Sequence, residues 1–227
     1  MRNIGLILTD TTRSKVYLAM LDMHKLLPNY IIYLKQNKQS KFKSKEITNT
    51  KRININFELS EKLRELPIEY NTINTKDIHD KKVIKILKSR NEKIFIYSGY
   101  GGVILKKNIL SIGKKFLHVH GGYIPNYKGS TTNYYSILEK NKMGASAIFL
   151  NKKIDSGPII NRKEFCPPKN KFEIDYFYDS YLRGIILVNI LKQYKIKKVI
   201  KPKTMSQKNY KNYFIIHPVL KHIALLK

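Results

Sequence analysis

The chain has 227 residues, a length typical of one domain with a short appendage and sufficient to bury a sizeable core. Hydrophobic residues make up 42% of it and aromatic residues 11%, which argues against wholesale disorder and against several membrane spans. The single cysteine, Cys166, excludes an internal disulfide. No segment has the order of a signal peptide or the roughly 20 apolar residues of a membrane span, so we expect a soluble protein of the reducing cytoplasm.

The net charge is strongly positive, because 44 lysine and arginine residues face 16 aspartate and glutamate residues, which gives +28. Such a balance raises nucleic acid or an anionic membrane as partners. The lysines, however, are scattered among asparagine and isoleucine residues along the chain, as an AT-rich coding sequence would place them. Compositional drift and a functional basic surface therefore both stay open, and in either case an anionic ligand is steered toward the protein.

The hydrophobic pattern predicts alternating strands and helices. A strand, helix, strand opening indicates a parallel sheet. The 33 residues after position 194 are too few for a second core, so one α/β domain at 1–194 and a C-terminal extension at 195–227 are predicted, the extension packing on the domain or on a partner subunit. Residues 36–51, polar and without periodicity, are predicted to form a loop or an exposed insertion. Strands are predicted at 3–8, 30–34, 70–73, 93–98, 115–120, 145–150 and 159–165, helices at 13–27, 58–66, 77–90, 132–141 and 175–194, and a helix or a helical turn at 104–112.

Two predicted strands end in residues suited to binding or chemistry, at the sheet edge where α/β proteins hold their ligands. After the first, Ser98-Gly99-Tyr100-Gly101-Gly102 forms either an ordinary turn or a backbone that passes close to a flat or phosphorylated ligand. The second ends in His118-Val119-His120-Gly121-Gly122, whose two imidazoles share one face of the strand. One imidazole can serve as a general acid or base and the other as a hydrogen-bond donor.

A third segment, Ile154-Asp155-Ser156-Gly157-Pro158, reads as a turn that offers one carboxylate. Two histidines and a carboxylate also make up the ligand set of a facial-triad metal site. Their spacing is not distinctive, and we predict no metal.

The stretch from about 94 to 160 resembles the catalytic region of the 10-formyltetrahydrofolate-dependent formyltransferases. The resemblance lies in FLHVHGGYIPNYKGS at 116–130, the helix that follows, GASAIFL at 144–150 and IDSGPII at 154–160. The family pattern is Asn-x-His-Pro-Ser-Leu-Leu-Pro-x-x-Arg-Gly followed by Leu-Asp-Thr-Gly-x-Ile. The resemblance implies the formyltransferase type of mostly parallel, Rossmann-like sheet, and 10-formyltetrahydrofolate as the formyl donor.

Position by position, the resemblance implies a catalytic histidine at His120 and a catalytic aspartate at Asp155. The family's asparagine is His118 here, so an imidazole replaces a neutral donor toward the formyl oxygen, and Gly121-Gly122 replaces Pro-Ser. The resemblance also implies a pterin pocket formed by Ser98, Gly99, Tyr100, Gly101, Gly102, Val103, Ile104 and Ile154.

Within the family, the run YKGSTTNYYS at 127–136 looks most like the formyltransferase-like proteins of amino-sugar modification for surface glycans. We therefore expect N-formylation of an amino sugar that is linked to a nucleotide. Arg13, Ser14 and Lys128, which replaces the family's arginine, are candidates for contacts with acceptor phosphates, and Tyr135 for a stacking surface. The apolar tail at 213–226 is predicted to dock as a last strand and helix or to form a subunit contact, which would make a homodimer.

Two other functions stay open at this point. Hydrolysis of the formyl donor needs only that water take the place of the amine, so a diverged folate enzyme is one alternative. A basic, non-catalytic module that binds nucleic acid on the same fold is the other. The net charge favours it, and the absence of an aromatic RNA-reading motif argues against it.

Overall fold

The computed structural model describes residues 1–36, 53–203 and 210–227. They form two compact units, Met1–Leu117 and His118–Lys227, and the boundary falls inside the fifth strand. The predicted insertion at 36–51 lies outside the described residues except for Gln36. The predicted division into 1–194 and 195–227 stays a prediction.

The first unit is a parallel sheet with helical crossovers. Its strands lie in the order β3-β2-β1-β4-β5, and every pairing among them is parallel. All six residues of β1 are buried, as expected for a central strand whose sequence is almost continuously apolar. The strands are β1 (Ile4–Thr9), β2 (Tyr30–Lys35), β3 (Glu69–Asn74), β4 (Ile94–Ser98) and β5 (Lys115–His120), and the helices are α1 (Thr12–Met23), α2 (Leu59–Glu65), α3 (Lys81–Ser89) and α4 (Lys107–Leu110).

The second unit begins with the last residues of β5, next to which β7 and then β8 lie in the sheet. The pairing of β7 with β8 is antiparallel, and β6 pairs with β9 in a separate two-stranded ladder. The predicted α/β class with a mostly parallel sheet is confirmed, and the sheet of the described residues has seven strands. The remaining elements are β6 (Lys128–Gly129), α5 (Thr132–Lys140), β7 (Met143–Phe149), β8 (Ile159–Phe165), a π-helical turn (Ile174–Tyr178), α6 (Asp179–Lys197), β9 (Asn212–Tyr213) and α7 (Pro218–Leu226).

Three helices differ from the prediction at their ends. The first helix stops at Met23 because Lys25 takes a left-handed conformation with φ of 55°. The third begins at Lys81, where the Asp80 side chain caps it by accepting a hydrogen bond from the Lys82 amide at 2.7 Å. The segment 104–112, for which a helix or a helical turn is predicted, contains the four-residue helix α4.

The tail forms a short strand and a helix, in line with one of the two predicted arrangements. Ile216 and Ala224 are buried, whereas Phe214, Ile215, Val219 and Leu226 are each more than half exposed. Polar contacts also hold the tail near the start of α5. The Ile216 amide donates to Oγ1 of Thr131, the residue before α5, at 2.8 Å. In the part of the chain that the structure describes, no helix combines the length and the apolar character needed to cross a bilayer.

Candidate active site

The two histidines of the predicted site lie at the carboxyl end of β5, two residues apart. Alternation along a strand places both on the same face, as the sequence predicts. His118 is half-buried, and His120 is only 6% exposed.

His120 lies against Asp155, which the turn after β7 contributes. The distance from His120 Nδ1 to Asp155 Oδ2 is 3.3 Å, and both side chains are largely removed from solvent. The same carboxylate oxygen accepts a hydrogen bond from the Gly129 amide at 3.0 Å. The structure thus joins two of the three residues predicted to be catalytic, and β6 fixes the carboxylate.

The contact made by His120 Nε2 identifies which ring nitrogen carries the proton in the neutral imidazole. Nε2 lies 3.0 Å from the Tyr127 carbonyl oxygen, and only an N–H can make that bond. In the neutral ring the lone pair is therefore on Nδ1, which faces Asp155. Burial lowers the pKa of the His120 imidazole, and the Asp155 charge opposes that shift only in part. A neutral imidazole with its basic nitrogen beside a carboxylate is an arrangement suited to accept a proton.

Asp155 has a left-handed backbone, with φ of 45°. Aspartate and asparagine tolerate this region better than most residues, because the short polar side chain can bond locally. Its Oδ1 has no recorded hydrogen bond to any described residue, so that oxygen can receive a donor from a ligand.

Gly121 and Gly122, which follow His120, are required by close packing. A β-carbon on Gly122 would lie 2.5 Å from Thr132 Oγ1, 2.6 Å from the Tyr127 carbonyl oxygen and 2.7 Å from His120 Nε2. A β-carbon on Gly121 would lie 2.4 Å from both Arg183 and Asp179. Side chains larger than glycine at these two positions would therefore collide with the polar neighbours of the histidine turn.

The residues behind this turn were not identified from the sequence. Asp179 accepts hydrogen bonds from Asn133 at 2.9 Å and pairs with Arg183 at 2.6 Å, while the Gly144 amide donates to Asn133 Oδ1 at 2.7 Å. The spacing of Asp179 and Arg183, four apart on a helix, was the signal that could have indicated the pair. These contacts join α5, α6 and β7 beneath the turn that carries His120.

The second unit, which contains His120 and Asp155, also contains Lys128 and Tyr135. Both are predicted to contact the acceptor. Lys128 is 4% exposed, and no hydrogen bond or ion pair to its ammonium group is recorded among the described residues. The Tyr135 ring lies against that of Tyr213, with 4.6 Å between centroids. Neither arrangement identifies a ligand, and both contacts with an acceptor stay predictions.

In the first unit, Arg13 and Ser14 meet the end of β4. The Arg13 guanidinium donates to Ser98 Oγ at 3.3 Å and to the Gly99 carbonyl. Ser14 is fully buried, with its hydroxyl 2.8 Å from Ser98 Oγ and 3.2 Å from the Thr9 amide. The geometry gives Ser14 a structural task, and its contact with a substrate remains a prediction.

The rest of the predicted pterin segment is open to solvent to different degrees. Gly101, Gly102 and Ile104 are exposed, and Tyr100 and Val103 are half-buried. In the second unit, Ile154 is 45% exposed. Among the described residues, no group of three or more histidine, cysteine, aspartate or glutamate side chains is placed to hold a metal ion.

Comparison with known proteins gives one family match. Residues 34–167 match the family model described as formyl transferase. A methionyl-tRNA formyltransferase of Finegoldia magna is 28% identical over 100 residues, which make up 44% of this chain and 32% of that protein. The chain spans about a third of the length of the curated relatives it matches.

Solved structures share the fold at low identity. A sugar N-formyltransferase from a Shewanella species superposes with a TM-score of 0.58 and 15% identity, covering 100% of this chain and 87% of its own. A glycinamide ribonucleotide transformylase from Symbiobacterium toebii superposes with a TM-score of 0.53 and 14% identity, covering 84% of this chain and 82% of its own.

Proposed function

Because this chain belongs to the formyl transferase family, we propose that it transfers a formyl group from 10-formyltetrahydrofolate to the amine of a nucleotide-linked amino sugar in the cytoplasm, in the synthesis of a surface glycan. The observation that carries the proposal is the buried pair of His120 Nδ1 and Asp155 Oδ2, 3.3 Å apart. The run at 127–136 and the fold shared with a sugar N-formyltransferase support the amino sugar. In this proposal the donor supplies the formyl carbon, and the residues of the chain hold the reactants and move protons.

His120 is the general base of the proposed reaction. An amine that attacks the formyl carbon must lose a proton, and Nδ1 of the neutral imidazole can take it. The imidazolium formed is then stabilised by the Asp155 carboxylate, while the Tyr127 carbonyl keeps the ring in place through Nε2. His120 returns the proton to the folate nitrogen as the bond between that nitrogen and the formyl carbon breaks, so tetrahydrofolate leaves and the imidazole is neutral again. Asp155 Oδ1 orients the amine by accepting a hydrogen bond from one of its N–H groups.

His118 provides the N–H donor to the formyl oxygen, where negative charge develops during attack. It stands where the family has asparagine, on the same strand face as His120. An imidazole offers this donor in its charged form and in one of its neutral tautomers, so the role does not depend on the asparagine amide.

The segment Ser98–Ile104 holds the pterin in this proposal. Exposed glycines allow a flat ring to approach the backbone, and the exposed Ile104 side chain offers an apolar surface to that ring. Arg13 fixes this segment through Ser98 and Gly99. On this basis the residues fit the proposed donor.

A panel of acceptors tests the proposal. The purified protein is incubated with 10-formyltetrahydrofolate and, in separate reactions, a UDP-linked amino sugar, a dTDP-linked amino sugar, glycinamide ribonucleotide or methionyl-tRNA, and formylated products are identified by mass spectrometry. We expect formylation of a nucleotide-linked amino sugar and none of the other two acceptors. Formylation of glycinamide ribonucleotide or of methionyl-tRNA alone would contradict the assignment of the acceptor, and release of formate without any formylated amine would indicate hydrolysis.

A further inference from the structure

A cavity lies in the second unit. Its lining includes neither His120 and Asp155 nor any residue of the predicted pterin segment. The cavity has a volume of 330 Å³, its walls include Tyr127, Tyr210, Tyr213, Glu139, Lys140 and Lys211, and we call it the tyrosine cleft. Its volume falls at the lower end of the range that small-molecule sites occupy. Two aromatic side chains with exposed surface, Tyr210 and Tyr213, and two cations in one cleft are a specific combination.

Glu139 is the only carboxylate among the described residues that line the cleft, and its hydrogen-bond partners lie in the same cleft. Tyr127 donates its hydroxyl hydrogen to Glu139 Oε2 at 2.7 Å, and Tyr213 donates to Oε1 at 3.2 Å. The two lysines are not paired with it. Among the described residues no ion pair is recorded for Lys140 or Lys211.

Both ammonium groups lie over aromatic rings. Lys140 Nζ is 5.7 Å from the centroid of Tyr127, and Lys211 Nζ is 5.2 Å from that of Tyr213. A cation near a ring face is held only weakly in an open site and stays able to meet an anion. Tyr210, at 42% exposure, presents a ring on which a flat group can stack.

We infer that the tyrosine cleft binds a nucleoside phosphate, with the base against the rings of Tyr210 and Tyr213 and the phosphate groups at Lys140 and Lys211. Stacking on aromatic side chains tolerates any base, and lysine binds phosphate as a point charge. Its use as the site for the nucleotide part of the acceptor rests on the proposed function. The binding itself does not.

The cleft is connected to both catalytic residues through backbone hydrogen bonds. The Tyr127 carbonyl accepts the bond from His120 Nε2, and the buried Tyr127 ring stacks on that of Tyr213 with 5.6 Å between centroids. Tyr213 pairs with Gly129 in the β6 and β9 ladder, and the Gly129 amide holds Asp155. A ligand that contacts the Tyr213 ring therefore contacts a residue that packs against Tyr127 and pairs with Gly129, the two residues that position His120 and Asp155.

Calorimetric titration at constant ionic strength tests the inference, with UDP, GDP, uridine and inorganic diphosphate as separate ligands. The variants are Lys140→Ala/Lys211→Ala, Tyr210→Ala, and Lys85→Ala/Lys88→Ala as a control that removes the same charge from the exposed face of α3. The control is necessary because a chain of charge +28 attracts any polyanion. Binding is measured without a formyl donor.

We expect UDP or GDP to bind more tightly than either uridine or diphosphate. The cleft lysine variant should weaken nucleotide binding by about tenfold or more, and the α3 variant by less than about twofold. Tyr210→Ala should weaken nucleotide binding by about tenfold while leaving diphosphate binding unchanged.

Three results would overturn the inference. They are no saturable binding of either nucleotide, diphosphate binding as tight as that of the nucleotides, and equal losses in the two lysine variants. The proposed function fails separately, if nucleotides bind with the expected pattern but no nucleotide-linked amino sugar is formylated.

Discussion

Gly122 is the residue whose replacement tests the packing around His120 most directly. An alanine there would place its β-carbon 2.5 to 2.7 Å from Thr132, Tyr127 and His120. Two of these atoms form the hydrogen bond that sets the His120 tautomer, so the cost is both steric and polar. We expect Gly122→Ala to lower the free energy of unfolding by about 1–3 kcal/mol, measured by urea denaturation.

Gly101→Ala is the matched control for this substitution. A β-carbon on Gly101 meets nothing within 4 Å, so its unfolding free energy should stay within about 0.5 kcal/mol of the wild type. Equal losses in the two variants would show that the Gly122 contacts are not tight.

His120 gives a prediction for stability against pH. Burial lowers its pKa in the folded chain below the ordinary value of 6.5, so the unfolded chain binds more protons as the pH falls through that value. The free energy of unfolding should therefore decrease below pH 6.5, by at most about 1.4 kcal/mol per pH unit from this one group. His120→Asn should remove that part of the slope in denaturation curves collected from pH 7 to 5, and an unchanged slope would mean that His120 is charged when folded.

The sequence predicted the geometry of the candidate site unequally well. Strand alternation placed His118 and His120 on one face, but only the resemblance to a family joined His120 to Asp155, because 35 positions separate them and spacing does not fix such a contact. The Gly121-Gly122 pair looked like a departure from the family, and at Gly121 the packing that leaves no room for a β-carbon comes from Asp179 and Arg183 of a distant helix. Contacts of this kind depend on tertiary packing.

At the scale of elements, the Glu92 side chain links segments at the amino ends of strands in the first unit. Only 2% exposed, it accepts hydrogen bonds from Asn29 at 2.8 Å and from Arg90 at 3.1 Å. Burial raises the pKa of its carboxyl, but the Arg90 and Asn29 hydrogen bonds outweigh burial and bring it to about 2. Arg90 also covers the Tyr30 ring, 3.8 Å from its centroid, and pairs with Glu69. One cluster thus joins residues of β2 and β3 with the segment before β4.

We expect Glu92→Gln to reduce the free energy of unfolding by about 3 kcal/mol near pH 7, because Arg90 then keeps a largely buried charge without its main partner. The carboxylate's contribution is present above its ordinary pKa of 4.5 and is lost as the pH falls toward 2, so the difference from wild type should shrink in acid. Glu69→Gln, whose side chain is 65% exposed, should cost less than about 1 kcal/mol. Similar losses at positions 92 and 69 would contradict this account.

Long periodic elements were predictable, and short ones were not. The strands at 115–120 and 159–165 match the prediction residue by residue. The two-residue strands β6 and β9 carry no periodic signal, although β6 holds the amide that fixes Asp155. The last predicted helix begins as the π-helical turn Ile174–Tyr178, a change of hydrogen-bond register that an apolar stripe does not reveal.

At the scale of the whole molecule, the charge of +28 predicts that anionic substrates are attracted over long range. Raising the ionic strength from about 0.01 M to about 0.15 M shortens the Debye length from about 30 Å to about 8 Å. We expect kcat/KM for a nucleotide-linked amino sugar to fall by about tenfold over this range, with kcat nearly constant. A constant kcat/KM would show that the lysines are compositional and without effect on association.

Elution by salt distinguishes the proposed enzyme from a module that binds nucleic acid. Heparin and an oligonucleotide should release the protein at the same salt concentration if charge alone acts. Retention of one oligonucleotide sequence well above the salt that releases heparin would favour the binding module.

A single-turnover reaction tests whether His120 and Asp155 carry out formyl transfer. Labelled 10-formyltetrahydrofolate is mixed with an excess of wild-type protein or of Asp155→Asn, in the presence of the amino-sugar acceptor, and the labelled amide is followed while donor binding is measured separately. Asparagine suits the left-handed backbone at this position and removes only the charge. We predict that the variant binds the donor as the wild type does and forms the amide about 10²- to 10⁴-fold more slowly. Amide formation at the wild-type rate by Asp155→Asn would contradict the account.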